Sequence, residues 1–218
     1  MNQTILKNGD RSAALEMAFP SSANLSDALG QLGYKFQTLH SRVRPITGIP
    51  VWGPAYTVQC YPGATFALEE ALEKAAPGDV LMVAGEAFTE AVLMGGLMST
   101  RAKQRGIAGA VVDGAVRDVA ELRKLRWPVY ATGVTPRAGT FAQLGQWETA
   151  VSCGGVVVQP GDMVAADDDG IVVAPAGILD EALERAWEIE RKENFIAKAV
   201  VEGLSLAEAV REYQAQAE

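Results

Sequence analysis

Histidine is almost absent from this chain: among its 218 residues, His40 is the only one. A metal site built from several histidines is therefore excluded, and a Ser-His-Asp triad would have to use His40. The G-x-S-x-G turn that presents a nucleophilic serine does not occur. A G-x-G-x-x-G dinucleotide fingerprint and a P-loop are also missing. These absences exclude several common classes of enzyme site.

Cysteine is nearly as scarce, because Cys60 and Cys153 are the only two and their spacing is not that of metal ligands. Such cysteines are usually free thiols in a reducing compartment. No apolar run approaches the length of a membrane span. The N-terminal sequence MNQTILKNGDRSAALEM lacks the basic-then-apolar order of a signal peptide. We therefore expect a cytoplasmic protein that does not bind a membrane.

Basic residues are fewer than acidic ones. The chain has 19 Lys and Arg residues and 27 Asp and Glu residues, for a formal net charge of -8. Nucleic-acid binding needs a basic stripe that meets the phosphates, so we do not expect nucleic acid as a partner. An acidic surface is still compatible with binding a basic segment of another protein.

The pattern that is present is that of an α/β fold. Gly and Pro separate short periodic segments without a linker or a repeat, which predicts a single domain over 1–218 with a core at about 20–200. The predicted elements alternate: helix 24–33, strand 55–61, helix 65–76, strand 80–84, helix 89–105, strand 107–113, helix 118–125 and strand 127–133. Short strands at 151–158, 162–168 and 170–175 are expected to form a separate β-rich layer. The C-terminal helices, within 178–218, comprise an amphipathic helix over 178–200 and a last helix that the Ser205-x-x-Glu208 capping box opens.

Strand–helix–strand units favour parallel pairing, and such sheets bind ligands beyond the carboxyl ends of their strands. The segment after Asp113 and the start of the helix after Val83 should therefore share one crevice. There, the fork of Arg117 fits a carboxylate or an oxyanion, and Asp118 lies at or near a helix N-terminus. The residues alone leave open that Asp118 only caps the helix and that Arg117 only forms a surface ion pair.

Gly95 and Gly96 fall inside predicted helix 89–105, where each costs about 1 kcal/mol relative to Ala. Glycines let the backbone approach a ligand closely, and free N–H groups at a helix start suit a carboxylate. Close helix packing without a ligand is the alternative explanation.

Other reactive residues are interpreted as structural. The run Asp167-Asp168-Asp169-Gly170 lacks the EF-hand pattern and is predicted to form a tight β-turn. Cys153 is interpreted as a small packed residue. A Schiff-base mechanism is disfavoured because the helical lysines lie among polar neighbours: these are Lys74, Lys103 and Lys124.

The chain resembles the RraA-like family in four ordered segments: PGDVLMVAG (77–85), GGLMSTRAKQRGIAGAVVDGAVRD (95–118), WPVYATGVTPR (127–137) and VSCGGVVVQPGDMVAADDDGIVVAP (151–175). This family includes 4-hydroxy-4-methyl-2-oxoglutarate / 4-carboxy-4-hydroxy-2-oxoadipate aldolases and regulators of ribonuclease E. The resemblance implies a layered β/β/α swivelling-type domain, assembled as a homotrimer or as a homohexamer of two trimers.

The resemblance also implies a site for a small 2-oxo acid, with Arg117 and Asp118 as its catalytic residues. Substrate would be bound by Arg117 and by the backbone of Gly95, Gly96, Leu97 and Met98. Asp118 would bind Mg²⁺ or Mn²⁺, and Glu193 of a neighbouring subunit would support metal-bound waters. The metal and Arg117 would neutralise the enolate that C3–C4 cleavage leaves, so retro-aldol cleavage and oxaloacetate decarboxylation are both expected.

One position departs from the aldolase pattern. Aldolase members carry an acidic residue where this chain has Gly96, whereas regulator proteins carry a glycine there and an acidic pair two residues after Arg-Asp. This chain has Glu121 but then Leu122 in place of the second acid. The leading hypothesis is a divalent-metal-dependent lyase, an aldolase and/or an oxaloacetate decarboxylase. A non-catalytic regulator that binds ribonuclease E and a different 2-oxo-acid or hydroxy-acid enzyme are the alternatives.

Overall fold

A curled, mixed β-sheet forms the centre of the computed structural model, which describes residues 19–216. The strands are β1 (Arg44–Pro45), β2 (Val51–Gln59), β3 (Val80–Met94), β4 (Gly109–Val116), β5 (Val129–Val134), β6 (Gln146–Trp147), β7 (Val151–Cys153), β8 (Val156–Val158), β9 (Met163–Ala166) and β10 (Ile171–Ala174). The helices are α1 (Ser22–Gln31), α2 (Phe66–Lys74), α3 (Gly96–Gln104), α4 (Val119–Leu125), α5 (Leu179–Val201) and α6 (Leu206–Gln216). The predicted α/β class with C-terminal helices is confirmed. Predictions that concern 1–18 and 217–218, including the ends of the single domain, lie outside the described residues.

The centre of the sheet is parallel, because β2, β3, β4 and β5 follow one another through α2, α3 and α4. Every residue of β4 is buried, which is typical of a strand covered on both faces. One face packs against the three crossover helices through residues such as Leu68, Leu81 and Leu122. The other face packs against the β7–β8 hairpin. Because the sheet curls, this face also contacts side chains of β9 and β10, at the far end of the same sheet. This arrangement leaves the carboxyl ends of β3 and β4 as an open edge.

Strand β2 connects the two halves of the sheet, and it makes the prediction of a separate β-rich layer wrong. Residues 51–54 pair antiparallel with β9, whereas residues 55–59 pair parallel with β3. Strands β9 and β10 therefore extend the main sheet, and among the strands of residues 19–216 only the β7–β8 hairpin is separate. The nine residues of β2 are long enough for two partners, which an apolar pattern alone does not reveal.

The predicted helix over 89–105 is also wrong in its first half, because β3 continues to Met94 and α3 begins at Gly96. Regular pairing with β4 ends at Ala84–Asp113, and the next partners are Phe88–Gly114 and Val92–Ala115. Strand β3 therefore bulges strongly, and two of its non-glycine residues take positive φ angles: Glu86 at 57° and Ala87 at 55°. Strand β4 likewise runs to Val116, three residues past its predicted end at Asp113.

Asp113 is a buried carboxylate that joins four parts of the fold. It is only 2% exposed. Arg42 donates to it from Nε at 3.3 Å and from Nη2 at 3.2 Å. The Thr132 hydroxyl and the Gly154 amide each donate at 2.9 Å. Because all these donors converge on it, the cost of burying the charge is offset.

Two further local predictions, the capping box before α6 and the turn at 167–170, are confirmed. Ser205 and Glu208 form the predicted capping box, with the Ser205 amide 2.9 Å from Glu208 Oε2 and the Glu208 amide 3.3 Å from Ser205 Oγ. The predicted turn at 167–170 is confirmed by the bond from the Asp167 amide to the Gly170 carbonyl. Asp167 also accepts from the amide and hydroxyl of Ser22, which fixes the start of α1. Within residues 19–216, no helix is long and apolar enough to span a membrane.

We expect Asp113→Ala to lower the free energy of unfolding by about 3 kcal/mol, because it removes the buried partner of the half-exposed Arg42 and leaves two further donors without an acceptor. Urea unfolding followed by circular dichroism measures this change. The matched control is Asp169→Ala, which removes the same charge from an exposed turn and should change stability by less than about 0.5 kcal/mol. Equal effects of the two substitutions would contradict the role assigned to Asp113.

Candidate functional site

Six of the seven predicted site residues, all but Glu193, lie together at the carboxyl ends of β3 and β4. Gly95 and Gly96 follow β3 and open α3, whereas Arg117 and Asp118 follow β4 and open α4. The Arg117 amide donates to the Met94 carbonyl at 3.1 Å, so the two strand ends are directly bonded. The two segments expected to share a crevice therefore lie side by side, and the glycines lie at a helix start rather than inside a helix.

Asp118 joins the two helix starts. It occupies the N-cap position of α4, yet its side chain makes no cap hydrogen bond there. Instead, its Oδ2 accepts from the Gly96 amide at 2.9 Å, across the crevice. Its backbone is left-handed, with φ 60° and ψ 37°, a conformation that costs roughly 1–2 kcal/mol for most L-residues and that Asp tolerates better than most. The interpretation of Asp118 as a simple cap is therefore not supported.

Arg117 forms a long, solvent-exposed ion pair with this carboxylate. Its Nε is 3.5 Å from Asp118 Oδ2, and the two side chains are 42% and 38% exposed. An exposed pair at this distance contributes little to stability. The guanidinium therefore keeps donors available for a second, anionic partner.

Gly95 is required for space rather than for backbone conformation, because its φ of -143° is ordinary extended backbone. A Cβ at this position would lie 2.8 Å from Asp118 Oδ2 and 3.1 Å from Arg117 Cγ. Any side chain would push the carboxylate away from the Gly96 amide.

Gly96 leaves a space that Glu121 fills. A Cβ on Gly96 would lie 2.5 Å from Glu121 Oε2 and 3.5 Å from Asp118 Oδ2. The Glu121 carboxylate thus occupies the region that a side chain at position 96 would need. The sequence indicated Glu121 only as half of an acidic pair. The position of the second acid is occupied by Leu122, which is 1% exposed and packs in the core.

The first turn of α3 supplies backbone donors, although not all of those predicted. The Gly96 amide is already bonded to Asp118. The amides of Leu97 and Met98 belong to the first helical turn, which has no internal acceptors for them. The Leu97 side chain is 89% exposed, so this turn faces solvent. These two amides are the ones that suit a carboxylate.

The donor set at this site fits a hydrated divalent cation. The described part of the chain contains no group of three or more His, Cys, Asp or Glu residues that would form a complete metal cage. Asp118 and Glu121 both approach Gly96 and bring two carboxylates to one solvent-exposed patch. Mg²⁺ typically takes one or two carboxylates and keeps several waters, so Asp118 with Glu121 is a suitable set.

Glu193 is not part of this patch within one protomer. It is exposed on α5 and lines a groove between α1 and the α5–α6 pair, together with residues such as Asp27 and Val210. None of Gly95–Met98, Arg117 or Asp118 lines that groove. The assignment of Glu193 to a neighbouring subunit's site stays a prediction.

The cysteines and helical lysines have structural roles. Cys153 is fully buried, with Sγ 3.7 Å from the Val83 carbonyl, and burial raises the pKa of its thiol above the usual value. Burial raises the pKa of Cys60 to about 12. Both thiols are therefore protonated at neutral pH and poorly nucleophilic. Lys103 donates to the Leu125 carbonyl, and Lys74 lies over the Trp147 ring at 5.2 Å.

We expect Gly95→Ala to lower the affinity for Mn²⁺ by about tenfold or more, because the new methyl group displaces the Asp118 carboxylate. Gly30→Ala in α1 is the matched control, since nothing lies within 4 Å of its new methyl group and the affinity should not change. Electron paramagnetic resonance of free Mn²⁺ measures the affinity, and circular dichroism checks the fold. Identical affinities in the two variants would be inconsistent with Asp118 as the ligand.

Comparisons with known proteins agree with this architecture. The family model described as "RraA-like: Aldolase/RraA" matches residues 22–173. A relative from Halalkalibacterium halodurans named "Putative 4-hydroxy-4-methyl-2-oxoglutarate aldolase" is 33% identical over 190 residues, which cover 87% of each chain. The solved structure of an uncharacterized protein from Pseudomonas syringae superposes with a TM-score of 0.82 at 27% identity, over 91% of this chain and 96% of that one. Streptomyces coelicolor RraAS2, described as an unusual member of the RNase ES inhibitor RraA protein family, gives 0.76 at 35% identity, over 88% of this chain and 98% of that one. The sequence match and the shared fold show that the chain belongs to the RraA-like family.

Proposed function

We propose that this protein is a divalent-metal-dependent lyase that acts on small 2-oxo acids, as a 4-hydroxy-4-methyl-2-oxoglutarate aldolase and/or an oxaloacetate decarboxylase. The observation that carries the proposal is the pairing of Arg117 with Asp118 at the open edge of the sheet, beside the free amides of α3. An anion donor and a cation ligand side by side suit a substrate that carries a carboxylate next to a keto group. The name of the Halalkalibacterium relative supports the same chemistry.

Each residue at the site has a task in substrate binding. Arg117 donates to the C1 carboxylate of the 2-oxo acid, and the amides of Leu97 and Met98 add further donors. Asp118 binds Mg²⁺ or Mn²⁺, and waters complete the shell of the cation beside Glu121. When bound, the cation supplies Lewis-acid polarisation of the keto oxygen and neutralises negative charge that develops on it. Because Asp118 is tied to the Gly96 amide, its carboxylate is oriented before substrate arrives.

The two reactions differ in the proton transfers that they need. In the retro-aldol direction, the C4 hydroxyl loses its proton, the C3–C4 bond electrons pass to C3 and the resulting enolate of pyruvate is protonated there. In decarboxylation, CO₂ leaves C3 and only the second protonation is required. Glu121 is the carboxylate beside Asp118 that is placed to accept the hydroxyl proton. Glu121 thereby compensates for the acidic residue that is absent at Gly96.

The assembly proposed for this activity is a homotrimer or a homohexamer. Glu193 is exposed on α5 and lies outside the site of its own protomer, which agrees with a role in a neighbouring subunit's site. From there its carboxylate would accept hydrogen bonds from metal-bound waters.

A coupled assay for pyruvate tests the function directly. With Mg²⁺, we expect protein-dependent pyruvate release from oxaloacetate and from 4-hydroxy-4-methyl-2-oxoglutarate, and loss of both activities in EDTA. Asp118→Ala should lower kcat/KM by more than about 100-fold, because a metal ligand is lost. Asp118→Asn keeps the acceptor for the Gly96 amide and tolerates φ 60°, so it separates loss of charge from loss of structure. The rate with metal alone is subtracted, since oxaloacetate also decays without enzyme.

The same experiment addresses the alternative of a ribonuclease E regulator, which the description of Streptomyces RraAS2 favours. Absence of metal-dependent pyruvate release from any 2-oxo acid, together with a stoichiometric fall in the rate of ribonuclease E, would support the regulator and reject the lyase. The burial of Leu122 speaks against it, because the acidic pair of the regulators cannot form on this surface.

We expect Glu121→Gln to separate the two lyase activities. The amide cannot accept the C4 hydroxyl proton, so kcat for retro-aldol cleavage should fall by about 100-fold or more, whereas decarboxylation should fall much less. Parallel pyruvate assays on the two substrates give the ratio. Glu90→Gln, on the exposed surface of β3, is the control for loss of one negative charge. Equal losses in both reactions would show that Glu121 acts only by holding the cation.

A further inference from the structure

A short loop after β5, residues 135–140, is attached to both strands that carry the site. We name it the Arg137 loop. At its start, the Thr135 amide donates to the Val116 carbonyl at 3.1 Å, one residue before Arg117. At its middle, the Val92 amide donates to the Arg137 carbonyl at 3.0 Å, three residues before Gly95. The backbone of the Arg137 loop therefore lies directly against the ends of both strands.

The far end of the loop is fixed equally well. The Thr140 amide donates to the Gly63 carbonyl at 2.7 Å, and the Thr65 amide donates back to the Thr140 carbonyl at 3.0 Å. Gly139 packs so closely that a Cβ there would collide with the carbonyl oxygens of Val92 and Gly63. A loop with this many backbone contacts presents its side chains from a rigid base, which lowers the entropic cost of binding a ligand.

The Arg137 side chain has no partner inside the described part of the protomer. It is exposed, and no ion pair or side-chain hydrogen bond within residues 19–216 involves its guanidinium. By contrast, Arg42 is paired with Asp113 and Arg101 with Glu73. On a chain of net charge -8, an unpaired arginine on a loop whose backbone is bonded to both strand ends is a donor for an incoming anion.

We propose that Arg137 binds the distal carboxylate of a dicarboxylic 2-oxo acid, and this inference rests on the function proposed above. Arg117 takes the carboxylate next to the keto group, so the second carboxylate needs a separate donor. Without one, the second carboxylate would stay unpaired on a chain that already carries a net charge of -8. Arg137 thereby makes the site selective for substrates with two acid groups.

The same contact favours one of the two reactions. In retro-aldol cleavage of 4-hydroxy-4-methyl-2-oxoglutarate, the distal carboxylate keeps its charge and departs with the second pyruvate. In decarboxylation, the distal carboxylate of oxaloacetate must become neutral CO₂. A guanidinium that binds it stabilises the ground state and not the transition state. Arg137 is therefore a specificity residue for aldol substrates rather than for decarboxylation.

Two ligands that differ only at the distal end test this inference by binding alone. Isothermal titration with Mg²⁺ present compares 2-oxoglutarate with 2-oxopentanoate, which has a methyl group in place of the second carboxylate. We expect the wild type to bind 2-oxoglutarate about tenfold or more tightly than 2-oxopentanoate, and Arg137→Ala to abolish this preference. Arg137→Lys should retain part of it, and Arg44→Ala, at the exposed edge strand β1, should retain all of it.

The outcomes separate this inference from the proposed function. A wild type that does not prefer 2-oxoglutarate, or an Arg137→Ala variant that keeps the preference or weakens both ligands equally, would overturn the role of Arg137. Pyruvate release from 4-hydroxy-4-methyl-2-oxoglutarate and oxaloacetate is measured on the same variants. A lost binding preference with no pyruvate release by the wild type would support Arg137 as a dicarboxylate contact while rejecting the lyase. Among active proteins, Arg137→Ala should raise KM for the aldol substrate about tenfold and leave kcat for decarboxylation unchanged or higher.

Discussion

The buried carboxylate of Asp113 is the constraint on which the rest of the structure depends. It marks the last regular pair between β3 and β4, opposite Ala84. Donors reach it from the segment before β1, from β5 and from the turn between β7 and β8. Because a buried charge must be satisfied, these segments have one relative placement that is strongly favoured. After this residue, the pairing between β3 and β4 becomes irregular.

That departure produces the candidate site. The bulge of β3 lets Met94 end beside Val116, so two helices begin side by side. Asp118 accepts the left-handed backbone that a non-glycine residue usually avoids, and its carboxylate binds the amide of Gly96 rather than capping its own helix. Local strain and an unusual hydrogen bond therefore coincide at the residue proposed to bind metal, as is common at functional sites.

The sequence predicted which segments lie together better than it predicted the architecture around them. The topology of alternating strands and helices was sufficient to bring Gly95–Met98 and Arg117–Asp118 together, because parallel strands align their carboxyl ends. The bulge was not predictable, since the positive φ angles at Glu86 and Ala87 fall on residues that carry no turn signal. The apolar spacing of residues 92–94 could equally belong to a helix. The role of Glu121 depended on the space beside Gly96, which is a property of two helices in contact and not of either sequence segment.

The shared space between Gly96 and Glu121 has an evolutionary consequence. A side chain at position 96 and the carboxylate of residue 121 compete for one volume, so the effect of a substitution at either position depends on the residue at the other. This is epistasis in its simplest steric form. Under the function proposed for this chain, α4 supplies the acidic group that the aldolase pattern places on the first turn of α3. A comparison of position 96 alone would then record loss of the acidic group, although the neighbouring helix α4 supplies it.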